Sequence, residues 1–163
     1  MALRIIATGG TLDKHYDEIA GTLGFATSHL PQMLAQARLT LPHELKILPL
    51  LDSLDMRDAD RARVRAACRA ADETAIVVTH GTDTMRETAQ VLGQAALAKT
   101  IVLTGAMVPF SVSNSDALFN LGFACAAAQI LPHGVYVAMN GQVFAWDSVR
   151  KNRAAGRFES DGA

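Results

Sequence analysis

Hydroxyls and carboxylates cluster at four places in this chain: Thr8-Gly9-Gly10-Thr11, Asp52-Ser53-Leu54-Asp55, Thr79-His80-Gly81-Thr82-Asp83-Thr84 and Thr104-Gly105-Ala106-Met107. A glycine pair lets the backbone turn sharply and brings peptide N–H groups close to a ligand. Gly9-Gly10 therefore suits a turn that presents Thr11, and Thr82-Asp83 puts a hydroxyl and a carboxylate beside the positive end of a predicted helix. Each stretch alone also has a plainer explanation. The glycine pair fits an ordinary structural turn, and Asp83 or Thr84 fits a helix cap with Glu87 reaching back. His80 reads as a packed histidine outside any site. Nucleotide phosphate binding is disfavoured, because neither G-x-G-x-x-G nor G-x-x-x-x-G-K-S/T occurs.

Strands must deliver these stretches to one place. Short apolar runs bounded by turn residues predict buried parallel strands at Leu3–Thr8, Leu45–Pro49, Ala75–Thr79, Thr100–Thr104 and Gly134–Met139, with a shorter one at Gln142–Phe144. Between them, Ser28 caps a predicted helix over Leu30–Ala37, and further helices are expected at Asp58–Ala71, Asp83–Ala95 and Asp116–Gln129. This rhythm predicts the α/β class: an open, mostly parallel sheet with helices on both faces, a flavodoxin- or Rossmann-like three-layer arrangement. Ligands of such sheets bind beyond the carboxyl ends of the strands. The four polar stretches all fall there, facing one crevice.

With 163 residues the chain fits a single domain. Half of it is apolar and 19% is charged, which excludes a disordered composition. The net charge of -1, spread along the chain, offers no footprint for nucleic acid or an anionic membrane, so a small molecule is the expected partner. The arginines between Arg57 and Arg69 read as a solvated helix face, and Arg150 to Arg153 as a flexible basic end, Lys151 apart. Cys68 and Cys125 sit in helical patterns as small packed hydrophobes, with no disulfide or metal site. The run from Met1 to Ala7 is too short for a signal peptide, and Ala117–Leu131 is shorter than the roughly 20 residues that span a bilayer. A cytoplasmic setting without metal or cofactor is expected.

Taken together, Ala7-Thr8-Gly9-Gly10-Thr11-Leu12, Val78 to Thr88, Thr104-Gly105-Ala106-Met107 and Val149-Arg150-Lys151 have the order and approximate spacing found in bacterial L-asparaginases. The chain resembles the amino-terminal domain of that family from end to end. The resemblance implies that Thr11 is the nucleophile, that Tyr16 is the mobile-loop tyrosine, and that Thr82, Asp83 and Lys151 form the second catalytic group. It further implies substrate contacts from Gly10, Asp52, Ser53, Gly81, Thr82, Asp83 and Ala106, with Ser53 taking the substrate carboxylate. A threonine hydroxyl is a poor nucleophile until a neighbour withdraws its proton. Tyr16 or the Thr82–Lys151 pair would do so, while Asp83 orients the lysine or holds the substrate ammonium, and backbone N–H groups near Thr11 and Thr82 steady the oxyanion.

The chain also departs from the longer relatives. The second domain of those enzymes has no counterpart after Lys151, and Leu54 stands where they carry a glutamine after the serine. Short single-domain members resemble this chain better, and on that basis its ending reads as native. The expected activity is hydrolysis of L-asparagine to L-aspartate and ammonia through an acyl-Thr11 intermediate, with glutamine a poor substrate and a homo-oligomer, dimer or tetramer, as the working form. The rivals are a catalytically silent amino-acid-binding or sensor domain and an ammonia-donating amidase subunit of a larger complex.

Overall fold

The computed structural model describes residues 1–161. One strand in from the edge of its sheet lies β1 (Leu3–Gly9), paired in parallel with the edge strand β4 (His43–Leu51) on one side and β5 (Ala75–Thr79) on the other. The sheet continues through β6 (Thr100–Thr104) and β7 (Gly134–Met139), both parallel, and closes with the antiparallel β8 (Gln142–Ala145). The six-stranded order is β4-β1-β5-β6-β7-β8. Every residue of β5 and β6 is buried, which is why these strands read as unbroken apolar runs rather than alternating ones.

Alternate residues of the strands feed two cores. Ile5, Val77 and Val102 pack with Met33 of α1 (Leu30–Gln36) and Leu121 and Ala124 of α4 (Ala117–Ile130). Ile6, Val78 and Leu103 pack on the other face with Val64 and Cys68 of α2 (Asp58–Ala70) and Met85 and Leu92 of α3 (Met85–Gln94). Burying each such aliphatic side chain contributes about 1.5–3 kcal/mol. On the second face α3 lies close to Trp146: a Cβ on Gly93 would stand 2.2 Å from the indole ring, so only glycine fits there.

The placement of helices has a topological consequence. The steps β5 to β6 and β6 to β7 run in the same direction across the sheet, yet α3 and α4 lie on opposite faces. These two crossovers therefore have opposite hands. Three crossovers agree with one another: α1 leads back to β4 on one face, whereas α2 and α3 lead forward on the other. The α4 connection is the odd one out, a departure from the near-universal uniformity of such units.

The α/β class and the three-layer arrangement agree with the sequence-based expectation, but three expectations need correction. The strand expected to be buried at Leu45–Pro49 is a longer edge strand with exposed positions, its open side blunted by Lys46 and Pro49. The basic end is not flexible, because β9 (Val149–Asn152) pairs with β10 (Arg157–Ser160) in a hairpin tied by Arg150 and Arg157 to Glu159. A second hairpin, β2 (His15–Asp17) with β3 (Thr22–Gly24), occupies what reads as loop. Among the described residues no helix is long and apolar enough to cross a membrane.

Candidate active site

The turn that carries Thr11 is possible only because of its glycines. Gly9 and Gly10 have φ of 99° and 76°, a region that side chains disfavour. A Cβ on Gly10 would lie 2.3 Å from the Gly81 nitrogen, so the loops after β1 and β5 touch backbone to backbone. Thr11 then opens a short 3-10 turn, Thr11–Asp13, and is half-buried. The turn is anchored from beneath by Asp13, whose carboxylate accepts the Ser28 hydroxyl at 2.9 Å and the His29 N–H at 2.7 Å. Burial raises the Asp13 carboxyl pKa despite those two bonds. The loop after β6 braces the turn from above, where Phe110 N–H donates to Leu12 O at 3.3 Å and the Ser111 hydroxyl to Lys14 O at 3.0 Å.

Across the crevice, β9 brings Lys151 to the loop after β5. Its Nζ donates to Thr82 Oγ1 and to Asp83 Oδ1, both at 2.8 Å. The lysine side chain is 14% exposed, and Arg153 Nε adds a second cation 3.3 Å from the same Asp83 oxygen. Asp83 is thus committed to the lysine. The capping alternative is not what forms: neither Asp83 nor Thr84 caps α3 with its side chain, and the Thr84 hydroxyl donates instead to Ser53 O at 2.7 Å. A cleft of about 210 Å3 opens beside Thr82, Asp83 and Lys151.

Asp52 and Ser53 follow β4. Asp52 pairs with Lys14 at 2.5 Å and accepts the Leu54 N–H at 3.0 Å. Burial pushes the Asp52 carboxyl pKa up, but the Lys14 and Leu54 bonds, with the charges of Lys14 and Lys151, bring it below the usual value. Ser53 is only 1% exposed. Its hydroxyl accepts the Thr84 N–H at 3.2 Å, and the α-carbon of Gly81 lies so close that a Cβ there would stand 2.6 Å from Ser53 Oγ. Ala106 is fully buried in the loop after β6, whose neighbours Met107 and Val108 donate their N–H groups to Asp116 at 3.0 Å each. Hence Gly10, Thr11, Asp52, Ser53, Gly81, Thr82, Asp83 and Lys151 converge. Tyr16 sits apart on β2 of the outer hairpin, 61% exposed.

Sequence reasoning passes over two residues that shape this region, Lys14 and Asp13, and reads a third, His80, as a packed histidine, which it is. The first two lie directly after the Thr11 stretch, where their charge is the available signal. His80 is fully buried, with Nδ1 2.7 Å from Gly81 O and Nε2 2.7 Å from Thr88 Oγ1. A carbonyl can only accept, so Nδ1 carries the hydrogen and Thr88 donates to Nε2. Burial lowers its pKa to about 4, with the Gly81 bond opposing and the Arg61 charge assisting. The neutral ring thereby fixes the loop that presents Thr82.

A stability profile follows. Below pH 6.5 the unfolded chain takes up a proton at this histidine that the folded chain refuses until about pH 4. Stability is therefore present at neutral pH and falls on acidification through that window, by about 3 kcal/mol from this group. His29, also lowered chiefly by burial, acts in the same sense, and Asp13 acts against it. Urea unfolding of wild type and His80→Gln at pH 7 and pH 5 checks this; equal pH slopes for the two proteins count against it.

Comparison with known proteins gives a consistent picture. The family model described as asparaginase, N-terminal, matches residues 2–160. An L-asparaginase of Thermococcus kodakarensis is 32% identical over 161 residues, covering 96% of this chain and 49% of that protein. The solved structure of the thermostable L-asparaginase from the same organism superposes with a TM-score of 0.87 at 29% identity, over 98% of this chain and 51% of that one. A glutamyl-tRNA(Gln) amidotransferase subunit of Methanococcus vannielii is 31% identical over 147 residues, 86% of this chain and 34% of that protein. The chain spans about half the length, or less, of the curated relatives it matches.

Proposed function

This chain belongs to the asparaginase family, and from that premise we propose that it hydrolyses the side-chain amide of L-asparagine to L-aspartate and ammonia, with Thr11 as nucleophile. The observation that carries the proposal is the Lys151 ammonium, bridging Thr82 Oγ1 and Asp83 Oδ1 on a loop that meets the Gly10–Thr11 turn backbone to backbone at Gly81. Binding alone has no need of a lysine tied to a hydroxyl at that distance.

In the proposed reaction Lys151 Nζ first gives one proton to solvent; Thr11 Oγ then attacks the amide carbon while its proton passes to Thr82, and Thr82 passes its own to the Nζ lone pair. The tetrahedral oxyanion rests on backbone N–H groups of the two facing loops, usually a large contribution to catalysis. The C–N bond then breaks, ammonia leaves with the relayed proton, and acyl-Thr11 is hydrolysed by water to restore the hydroxyl. Tyr16, on the outer hairpin, is the second candidate for withdrawing the Thr11 proton. No step uses a metal or cofactor. Both cysteines, free and buried, accord with a reducing, cytoplasmic setting. The uncharged helix α4, with Phe119 61% and Ile130 80% exposed, accords with a homo-oligomer.

The test is ammonia release by the purified chain from L-asparagine, with L-glutamine and D-asparagine in parallel. L-asparagine is expected to turn over about 10²-fold faster than L-glutamine, because one extra methylene misplaces the amide carbon by about 1 Å or more. Equal rates for the two amides would sink the preference. A folded chain that releases no ammonia moves the assignment to an amino-acid-binding domain. The likeness to the amidotransferase component favours a second reading, an amidase that supplies ammonia to a partner. Activity of the chain by itself on free L-asparagine speaks against that one.

A further inference from the structure

We propose that Lys14 supplies the cation that recognises the substrate α-carboxylate beside Ser53, an inference that rests on the amidase reading above. An L-amino-acid amide needs a cation or a set of donors for its carboxylate, close to the nucleophile. The wall at residues 52–54 offers no cation from its own side chains, and as a donor only the Ser53 hydroxyl. The Ser53 hydroxyl is buried beneath Gly81 and accepts the Thr84 N–H, and Leu54, 64% exposed, is apolar.

Lys14 supplies what the wall lacks. It follows the Thr11–Asp13 turn directly, its N–H donates to Thr11 O at 3.2 Å, and its side chain crosses the crevice to Asp52. An ammonium has three N–H donors, and one serves Asp52 Oδ2. The other two are free for a carboxylate arriving between Thr11 and Ser53, where a charge-assisted bond is stronger than a neutral one. Lys14 is 20% exposed, and the surroundings of its backbone are fixed by Asp13 below and Ser111 above. The ammonium is thus held in place before substrate arrives. Asp52 is the positioning residue that aims it.

The same site then contains two lysine–aspartate pairs, Lys14–Asp52 and Lys151–Asp83, the first anchored on the turn that carries Thr11 and the second on the loop after β5. A zwitterion can join both without breaking either, its carboxylate meeting the remaining donors of the first lysine and its ammonium the second aspartate. The substrate class this selects is an ω-amide of a free α-amino acid, rather than a peptide or a simple amide.

Lys14→Met and Lys14→Arg are compared with wild type in steady-state hydrolysis of L-asparagine and in calorimetric binding of L-aspartate. Lys14→Met should raise KM and the Kd for L-aspartate by about 10- to 100-fold, with the loss concentrated in KM rather than kcat, and Lys14→Arg should recover most of both. Unchanged KM and Kd in Lys14→Met, or losses in Lys14→Arg as large as in Lys14→Met, overturn the assignment. If Lys14→Met fails to fold, Lys14→Gln carries the same expectation. The calorimetry separates this inference from the reading beneath it. L-aspartate bound by wild type and lost in Lys14→Met, without ammonia release from either, leaves Lys14 standing and defeats the amidase; a wild type that binds no L-aspartate defeats Lys14.

Discussion

Thr11→Ala should reduce ammonia release from L-asparagine by roughly 10⁴-fold or more, because removal of a nucleophile leaves only binding and oxyanion contacts to act. The change deletes a hydroxyl and a methyl from a half-buried position whose backbone is held by Gly10, Asp13 and the loop after β6. The fold and the L-aspartate Kd are therefore expected to survive it. Thr11→Ser keeps the hydroxyl and should keep measurable turnover. Single-turnover assays on the three proteins, with circular dichroism to confirm folding, decide the matter. Thr11→Ala retaining more than a few per cent of wild-type rate would remove Thr11 from the chemistry.

Lys151→Met is the second large effect, a fall in kcat of about 10²- to 10⁴-fold, the usual contribution of a proton-transfer group. The substitution keeps most of the aliphatic stem, so packing against Phe158, its partner across the β9–β10 hairpin, persists. Asp83 loses one of two cations and keeps Arg153, so the thermal transition should shift little, the pair being partly exposed and worth about 1 kcal/mol or less. A near-wild-type kcat in Lys151→Met would transfer the proton step to Tyr16, and Tyr16→Phe would then show the loss instead.

Much of this architecture is legible in the sequence for a physical reason. β5 and β6 are buried throughout and β7 over most of its length, so each reads as an unbroken apolar run closed by turn residues, and Ala75–Thr79, Thr100–Thr104 and Gly134–Met139 emerge with the expected bounds. The edge strand β4 carries exposed positions over most of its length, and its apolar signal covers only the middle. The two hairpins are illegible because each buries few apolar residues: β2 and β3 have none fully buried, and β9 and β10 one each, Val149 and Phe158. In the site, the convergence of Thr11, Asp52, Ser53, Thr82 and Lys151 follows from loops at strand ends and from family resemblance. The Lys14–Asp52 pair does not, since 38 residues separate its partners and no local pattern links them. The burial of Ser53 likewise depends on Gly81, a residue from another loop.

The odd hand of the α4 crossover gains meaning from the site. A chain leaving β6 for the same face as α3 would run away from the Thr11 turn. By turning to the other face instead, residues 105–116 sweep across the end of the sheet and lay Phe110 on Leu12 and Ser111 on Lys14 before Asp116 locks Met107 and Val108 in place. The uncommon topology thus acts as a clasp: it exchanges a generic wiring preference for a second support on the one turn that must not drift. Any attempt to transplant this site onto a uniformly wound sheet would have to invent another clasp for Thr11.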